Sequence, residues 1–202
     1  MRRRNPLPSR EREASESERV RGSRRGRLPT DWLAMLRVLV SAADREVRWG
    51  DRAARCALGR AGARRDKREG DGATPLGCFA LRRVLYRADR IPLPPTGLPA
   101  ALIDPQLGWC DDPADAAYNT PVRLPYSAGC ERLWREDALY DLLAVIGYND
   151  DPVEPGRGSA IFLHVARPDF APTEGCIALR LADLSELLRA CQPGDRIVVD
   201  AG

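Results

Sequence analysis

The chain has 202 residues, 44% apolar and 30% charged, enough to bury one full core in one domain. No run approaches the ~18 uninterrupted apolar residues that a membrane-spanning helix needs. The formal charge of +3 is uneven: residues 1–30 hold ten Arg and four Glu, a surplus of +6, which leaves −3 for the rest. The basic character belongs to that stretch, so the folded part carries no sign of a nucleic-acid-binding face. Six cysteines without a CxxC pair, beside a single His, argue against structural zinc. Their even number permits disulfides, but no spacing demands them.

Residues 1–34 are rich in Arg, Glu and Ser and lack apolar periodicity, the composition of a disordered tail. Three readings compete: an arm for nucleic acid or an acidic surface, an export signal, and an extension that adds nothing to the fold. The Ser23–Leu28 segment loosely resembles a twin-arginine signal, yet Arg37 interrupts the apolar stretch that follows. We favour the dispensable extension, with one domain over residues 35–202.

From residue 36 the pattern is that of a β-rich chain. Leu36–Val40 alternates as a strand does, and Val47–Trp49 and Ala54–Leu58 flank the turn residues Gly50 and Asp51. Lys67 to Gly77 is Gly-rich but lacks the GK[ST] ending of a phosphate-binding loop. Cys78–Tyr86 resumes the strand pattern. Residues 88–136 are the least regular, with many Pro, four Asp between Asp104 and Asp115, and four aromatic residues. A loop this long in a small domain points to function or to a lid.

Leu139–Tyr148 favours strand because of its β-branched and aromatic end. Ser159–Val165 and Ile177–Leu179 are strands. Asp183 to Glu186 has the spacing of a capping box, and Leu184, Leu187, Leu188 and Cys191 share one helical face. Pro193 and Gly194 end that helix, and Arg196–Val199 is a closing strand.

The only His, His164, lies mid-strand, and Cys176 begins the next strand after Thr173-Glu174-Gly175. Consecutive elements tend to lie side by side, so a hairpin-like unit would bring these two residues together. An adjacent imidazole supplies the base that a thiol needs in order to attack a carbonyl. Gly175 permits a bend with positive φ, which can aim the N–H of Cys176, and of Gly175, at one oxyanion. A lone His or Cys in an apolar strand is usually core packing; their joint occurrence carries the functional reading.

These residues resemble a known family. His164 followed by Thr173-Glu174-Gly175-Cys176-Ile177-Ala178-Leu179 resembles the signature of L,D-transpeptidase (YkuD-like) catalytic domains. Lys67, Gly70, Asp71, Thr74, Pro75 and Gly77 resemble that family's K-x-x-G-D-G-x-T-P-x-G stretch, and Pro193 to Val199 its last strand. The resemblance implies a mainly β, sandwich-like fold of mixed sheets with one clear helix near the C-terminus. It implies that Cys176 attacks peptidoglycan stem peptides at the diaminopimelate–D-Ala bond, with His164 as base and no cofactor or metal. An amine of a second stem then resolves the thioester, or water does, as in a carboxypeptidase or endopeptidase. A cell-wall binding module with inert thiols is the non-enzymatic alternative. The substrate also implies the cell envelope, although no convincing export signal is legible. Glu174 stands where the family usually has His or Lys, and Ala178 where Arg is common. Strand alternation would put Arg180 on the same side as Cys176, as a replacement guanidinium. The substrate-binding candidates are therefore Thr173, Glu174 and Arg180. Ser127 to Arg132 also fits S-x-G-C around Cys130, but no His precedes it.

Overall fold

The structure, a computed structural model, describes residues 35–202. The readings of the Arg-rich stretch at 1–34 lie outside the described residues. In chain order the strands are β1 (Arg37–Ser41), β2 (Glu46–Trp49), β3 (Arg52–Arg55), β4 (Ala63–Arg64), β5 (Thr74–Pro75), β6 (Gly77–Tyr86), β7 (Ala100–Leu102), β8 (Leu107–Cys110), β9 (Pro121–Arg123) and β10 (Cys130–Arg132). A short 3-10 turn, Ala138–Tyr140, leads into β11 (Leu142–Ile146), then β12 (Phe162–Val165), β13 (Ile177–Leu179), helix α1 (Leu181–Ala190) and β14 (Arg196–Asp200).

The main sheet runs β13-β12-β11-β6-β14-β1-β2-β3, with β7 added beside β6. Its two ends meet. The chain leaving β3 bonds to the chain entering β13, through Ala57 N–H to the Ala178 carbonyl (2.8 Å), Ala178 N–H to the Ala57 carbonyl (2.9 Å) and Thr173 N–H to the Leu58 carbonyl (2.9 Å). Bonding the two ends to each other removes open edges from a sheet that would otherwise present unpaired N–H and C=O groups. The result is a nearly closed, mixed β-sandwich, as the sequence resemblance implies.

The central strands β11 and β12 are buried along their whole length, which explains why LLAVI and FLHV, His164 apart, are apolar without alternation. Both faces are covered. One face, with Leu142, Ala144, Ile146, Leu163 and Val165, packs into a core with Leu184, Leu187 and Leu188 of α1. The other, with Leu143, Val145 and Phe162, packs against Trp109, Leu133 and Tyr140, which belong to the region of residues 88–141. That irregular region contains the three-stranded sheet β10-β8-β9. These short strands escape a periodicity reading because Gly, Pro and Asp interrupt them.

Two local expectations need correction. Helix α1 begins at Leu181 with Arg180 at the N-cap and no side-chain cap. Asp183 sits inside the first turn, where its charge meets the helix N-terminus, so the 183–186 segment is no capping box. β12 and β13 are neighbours as expected, but they run parallel (Leu163 opposite Ile177, His164 opposite Ala178), so they form no hairpin. A parallel pair requires a crossover, which the chain from Ala166 to Cys176 provides.

Asp195 anchors the junction of α1, β14 and β1. It is fully buried, and its two carboxylate oxygens accept the N–H groups of Leu36 and Gln192, each at 2.8 Å. Asp195→Ala orphans both amides and costs about 2–3 kcal/mol. Thermal melting should show this as a drop of about 4–12 °C. Asp195→Asn, which keeps one acceptor, should lose less; a melting point unchanged in the Ala variant would refute this role.

Candidate active site

Cys176 stands at the end of a turn that the Thr173 hydroxyl holds. The Thr173 hydroxyl donates to the Cys176 carbonyl (2.6 Å) and accepts the Gly175 N–H (3.2 Å). Gly175 has φ +133°, and a Cβ there would lie 2.8 Å from the Ala73 carbonyl oxygen. Only glycine fits that conformation and that approach. The Cys176 N–H makes no hydrogen bond among the described residues, whereas the Gly175 N–H is occupied by Thr173. One amide, not two, is therefore free to meet an oxyanion.

His164 lies on β12, on the same face as Phe162. Its Nδ1 is 2.9 Å from the carbonyl oxygen of Val165. A carbonyl only accepts, so Nδ1 carries the proton in this contact, and the Leu139 carbonyl also meets the ring. The ring of Tyr140 stands edge-on to the imidazole at 5.3 Å. Cys176 and His164 line one cavity of about 580 Å³, together with Lys67, Glu131, Arg135 and Tyr140.

Sulfur and imidazole share this cavity without a hydrogen bond between them. The thiol donates to the Ala160 carbonyl (3.2 Å), and its sulfur accepts the Phe162 N–H (3.3 Å). Burial pushes the Cys176 thiol up to about 12; Glu131 adds to this, while the Phe162 N–H and Lys67 oppose it. Burial also lowers His164 to about 4, against the pull of the Val165 carbonyl. At neutral pH the resting pair is thiol and neutral imidazole, not an ion pair. Burial opposes both charges.

The other sequence candidates separate. Thr173 and Glu174 line the cavity. Thr173 holds the turn, and Glu174 pairs with Arg60 at 2.8 Å on the exposed rim. Arg180 does not line the cavity. β13 ends at Leu179, the backbone then turns into α1, and the guanidinium lies 3.7 Å from Asp183 and near the ring of Phe170. Cys130, on β10, sits directly opposite Cys110 of β8 and does not line the cavity.

The sequence reading missed Glu131, Arg135 and Tyr140 as site residues. Lys67 it singled out only through its motif: this residue is buried and gives its ammonium to Asp71 at 2.9 Å. Burial pushes the Asp71 carboxyl up, but the amides of Ala73 and Arg68 together with Lys67 outweigh it and hold it below its ordinary value. Among the described residues no cluster of three His, Cys, Asp or Glu side chains is placed to hold a metal ion. Nor is any helix among them long and apolar enough to cross a membrane.

The L,D-transpeptidase (YkuD) catalytic-domain model matches residues 36–199. The chain belongs to this family. A search of curated proteins returned no match. Among solved structures, the chain is similar to the helical cell shape determining protein Pgp2 of Campylobacter jejuni, with 18% identity, a TM-score of 0.47, and coverage of 82% of this chain and 47% of that one. It is also similar to Bd1075 of Bdellovibrio bacteriovorus, with 16% identity, a TM-score of 0.47, and coverage of 86% and 50%. L,D-transpeptidase 1 of Mycobacterium tuberculosis matches at 15% identity and a TM-score of 0.39, covering 82% of this chain and 59% of that one. The chain thus spans about half the length of the first two of these proteins.

Two expectations follow from the geometry. Gly175→Ala places a methyl group against the Ala73 carbonyl at an unfavourable φ, at a cost of about 2–3 kcal/mol or more. Denaturant titration should show a lowered midpoint. The second concerns pH. The unfolded chain protonates His164 near 6.5, the folded chain only near 4. Between these values the unfolded state binds more protons, so stability falls as pH drops from 6.5 to 4, by roughly 3 kcal/mol from this residue. A His164→Gln variant should lose that component; identical pH–stability curves for the two proteins would contradict a buried, neutral imidazole.

Proposed function

We propose that this protein is a cysteine acyltransferase acting on peptidoglycan stem peptides, an L,D-transpeptidase with Cys176 as nucleophile and His164 as base. The observation that carries the reading is one cavity lined by both the Cys176 thiol and the His164 imidazole. Family membership supports the substrate class and a site of action at the cell envelope.

The steps follow from the resting contacts. A peptide carbonyl entering the cavity meets the Cys176 thiol, which leaves the Ala160 carbonyl. Sγ bonds to the carbonyl carbon while Nε2 of His164 takes the thiol proton. The Val165 carbonyl, accepting from Nδ1, steadies the imidazolium. The carbonyl oxygen becomes an oxyanion facing the free N–H of Cys176. Collapse breaks the C–N bond, and His164 returns its proton to the departing amine of D-Ala. A second amine then attacks the thioester by the same route in reverse; water in its place gives hydrolysis. Because the thiol is neutral at rest, proton transfer belongs to the attack itself and does not precede it.

Intact-mass measurement tests this reading. Incubation with a carbapenem, a strained acyl donor, should add one drug mass to the protein, and Cys176→Ala should add none. A tetrapeptide ending in diaminopimelate–D-Ala should release D-Ala only in the presence of Cys176 and His164. Product analysis with and without an added amine acceptor then separates transfer from hydrolysis. An adduct carried by Cys78 or Cys130, or full activity in Cys176→Ala, would end the assignment.

A further inference from the structure

Two cysteines that acyl transfer leaves unused face each other in the layer over the cavity. Cys110 ends β8, Cys130 begins β10, and the antiparallel register sets them directly opposite. The backbone of Cys110 bonds towards the other neighbouring segment: its N–H donates to the Thr120 carbonyl and its carbonyl accepts the Asn119 N–H, each at 2.9 Å. Bonds between the β8 and β10 segments fall on the alternate pairs, from the Asp111 N–H to the Gly129 carbonyl (3.2 Å) and from the Leu133 N–H to the Leu107 carbonyl (3.1 Å). Cys110 and Cys130 are therefore a non-hydrogen-bonded pair, the kind whose side chains stand closest. Such a pair sets its Cα atoms about 4.5 Å apart, within the roughly 4.4–6.8 Å that a disulfide spans.

The surroundings agree with the register. Trp109 and Glu131, the next pair along, point the other way: Trp109 meets the ring of Phe162 and Glu131 lines the cavity, which neither cysteine lines. The carboxylate of Asp115, 2.8 Å away, pushes the Tyr126 hydroxyl up, and burial, Cys110 and Cys130 add to this, so one phenol lies near both sulfurs. Cys130 is half-buried and Cys110 fully buried, so an oxidant in solution meets Cys130 first. Burial pushes the Cys110 thiol up, the Asp112 N–H opposes this, and the charges of Asp115, Asp111 and Asp112 raise it again. Cys110 is thus a slow nucleophile towards anything in solution and suits attack on a sulfur already beside it.

We propose that Cys110 and Cys130 join in a disulfide that staples β8 to β10 and fixes the layer over the cavity. The inference stands on the strand register and is independent of the acyl-transfer reading. Both are free thiols in the structure, so closure requires an oxidant, a small-molecule disulfide such as oxidised glutathione. The Cys130 thiolate attacks one sulfur of it and releases one glutathione thiolate. The Cys110 thiolate then attacks the Cys130 sulfur of the mixed disulfide and releases the second. Each protein thiol gives its proton to water and each glutathione thiolate takes one up, so the protein is oxidised and the small disulfide reduced. The segment closed by the bond contains Asn119, which holds the Ala160 N–H at 3.0 Å, and β10 carries Glu131, which holds the Tyr140 hydroxyl at 2.6 Å. Ala160 and Tyr140 both line the cavity, so the staple braces two of its walls.

The test uses the full chain with the exposed Cys78 replaced by Ser, so that this thiol neither caps nor crosslinks. The reduced protein is incubated with oxidised glutathione, and a non-reducing digest is read by mass spectrometry. The expected product is a monomer lighter by two hydrogens, with the peptides of Cys110 and Cys130 linked. Closing the segment between them should raise the melting temperature by about 6 °C or more over the reduced protein. Adding Cys130→Ser, at the half-buried position, should abolish both the link and the rise, and Cys110→Ala should do the same. If Cys110→Ala does not fold, the linked peptide and the Cys130→Ser comparison still decide. A lasting glutathione adduct on Cys130, a link between other cysteines, equal melting of the oxidised and reduced forms, or a rise that survives Cys130→Ser would overturn the proposal.

Discussion

The site depends on the parallel register of two short strands. With His164 opposite Ala178, the side chains of Phe162 and His164 on β12 share a face with Ala178 on β13 and with Cys176 just before it. A slip of one residue would turn the thiol into the core beside α1 and leave the imidazole alone. What prevents the slip is outside the pair. The chain entering β13 is bonded to residues 57–58, which closes the sheet, and the Thr173 hydroxyl clamps the turn from within. Sheet closure and placement of the Cys176 thiol are thus one structural event.

Burial sets the chemistry of the resting site. It raises the thiol and depresses the imidazole, and each shift disfavours the ion pair that a solvated Cys–His pair could form. Glu131 adds to the first effect and Arg135 to the second. In the acyl transfer proposed above, charge separates only at the moment of attack, with the Cys176 N–H facing the oxyanion and the Val165 carbonyl the imidazolium. A neutral thiol is also the less reactive form towards oxidants and alkylating agents.

What the sequence made legible was local and close in the chain. The only His, a glycine before a cysteine, and a strand pattern on either side sufficed to locate Cys176 and His164, and φ +133° at Gly175 shows why the glycine is there. The helix face Leu184-Leu187-Leu188-Cys191 was legible for the same reason: its period is 3.6 and its context simple. Arg180 misled because alternation holds only while a strand lasts, and β13 ends one residue earlier. Glu131, Arg135 and Tyr140 were invisible because they come from a three-residue strand, a loop and a single 3-10 turn inside a Pro- and Asp-rich region, where no period exists to read. Their meaning comes from the layer that this region forms over β11 and β12.

That layer also holds a strained residue against the Cys176 thiol. Ala160 has φ +52°, a conformation that costs a non-glycine residue of order 1–3 kcal/mol. Its carbonyl takes the Cys176 thiol, and its N–H is held by Asn119 at 3.0 Å. Asn119, itself buried at φ +56°, also accepts from the indole of Trp109 and donates to the carbonyls of Tyr148 and Asn149. One side-chain amide thus ties the covering layer, the end of β11 and the Ala160 carbonyl into a single network with its hydrogen-bonding capacity filled. The strain persists because this network determines the backbone from several sides. It keeps the thiol pointed at a fixed acceptor.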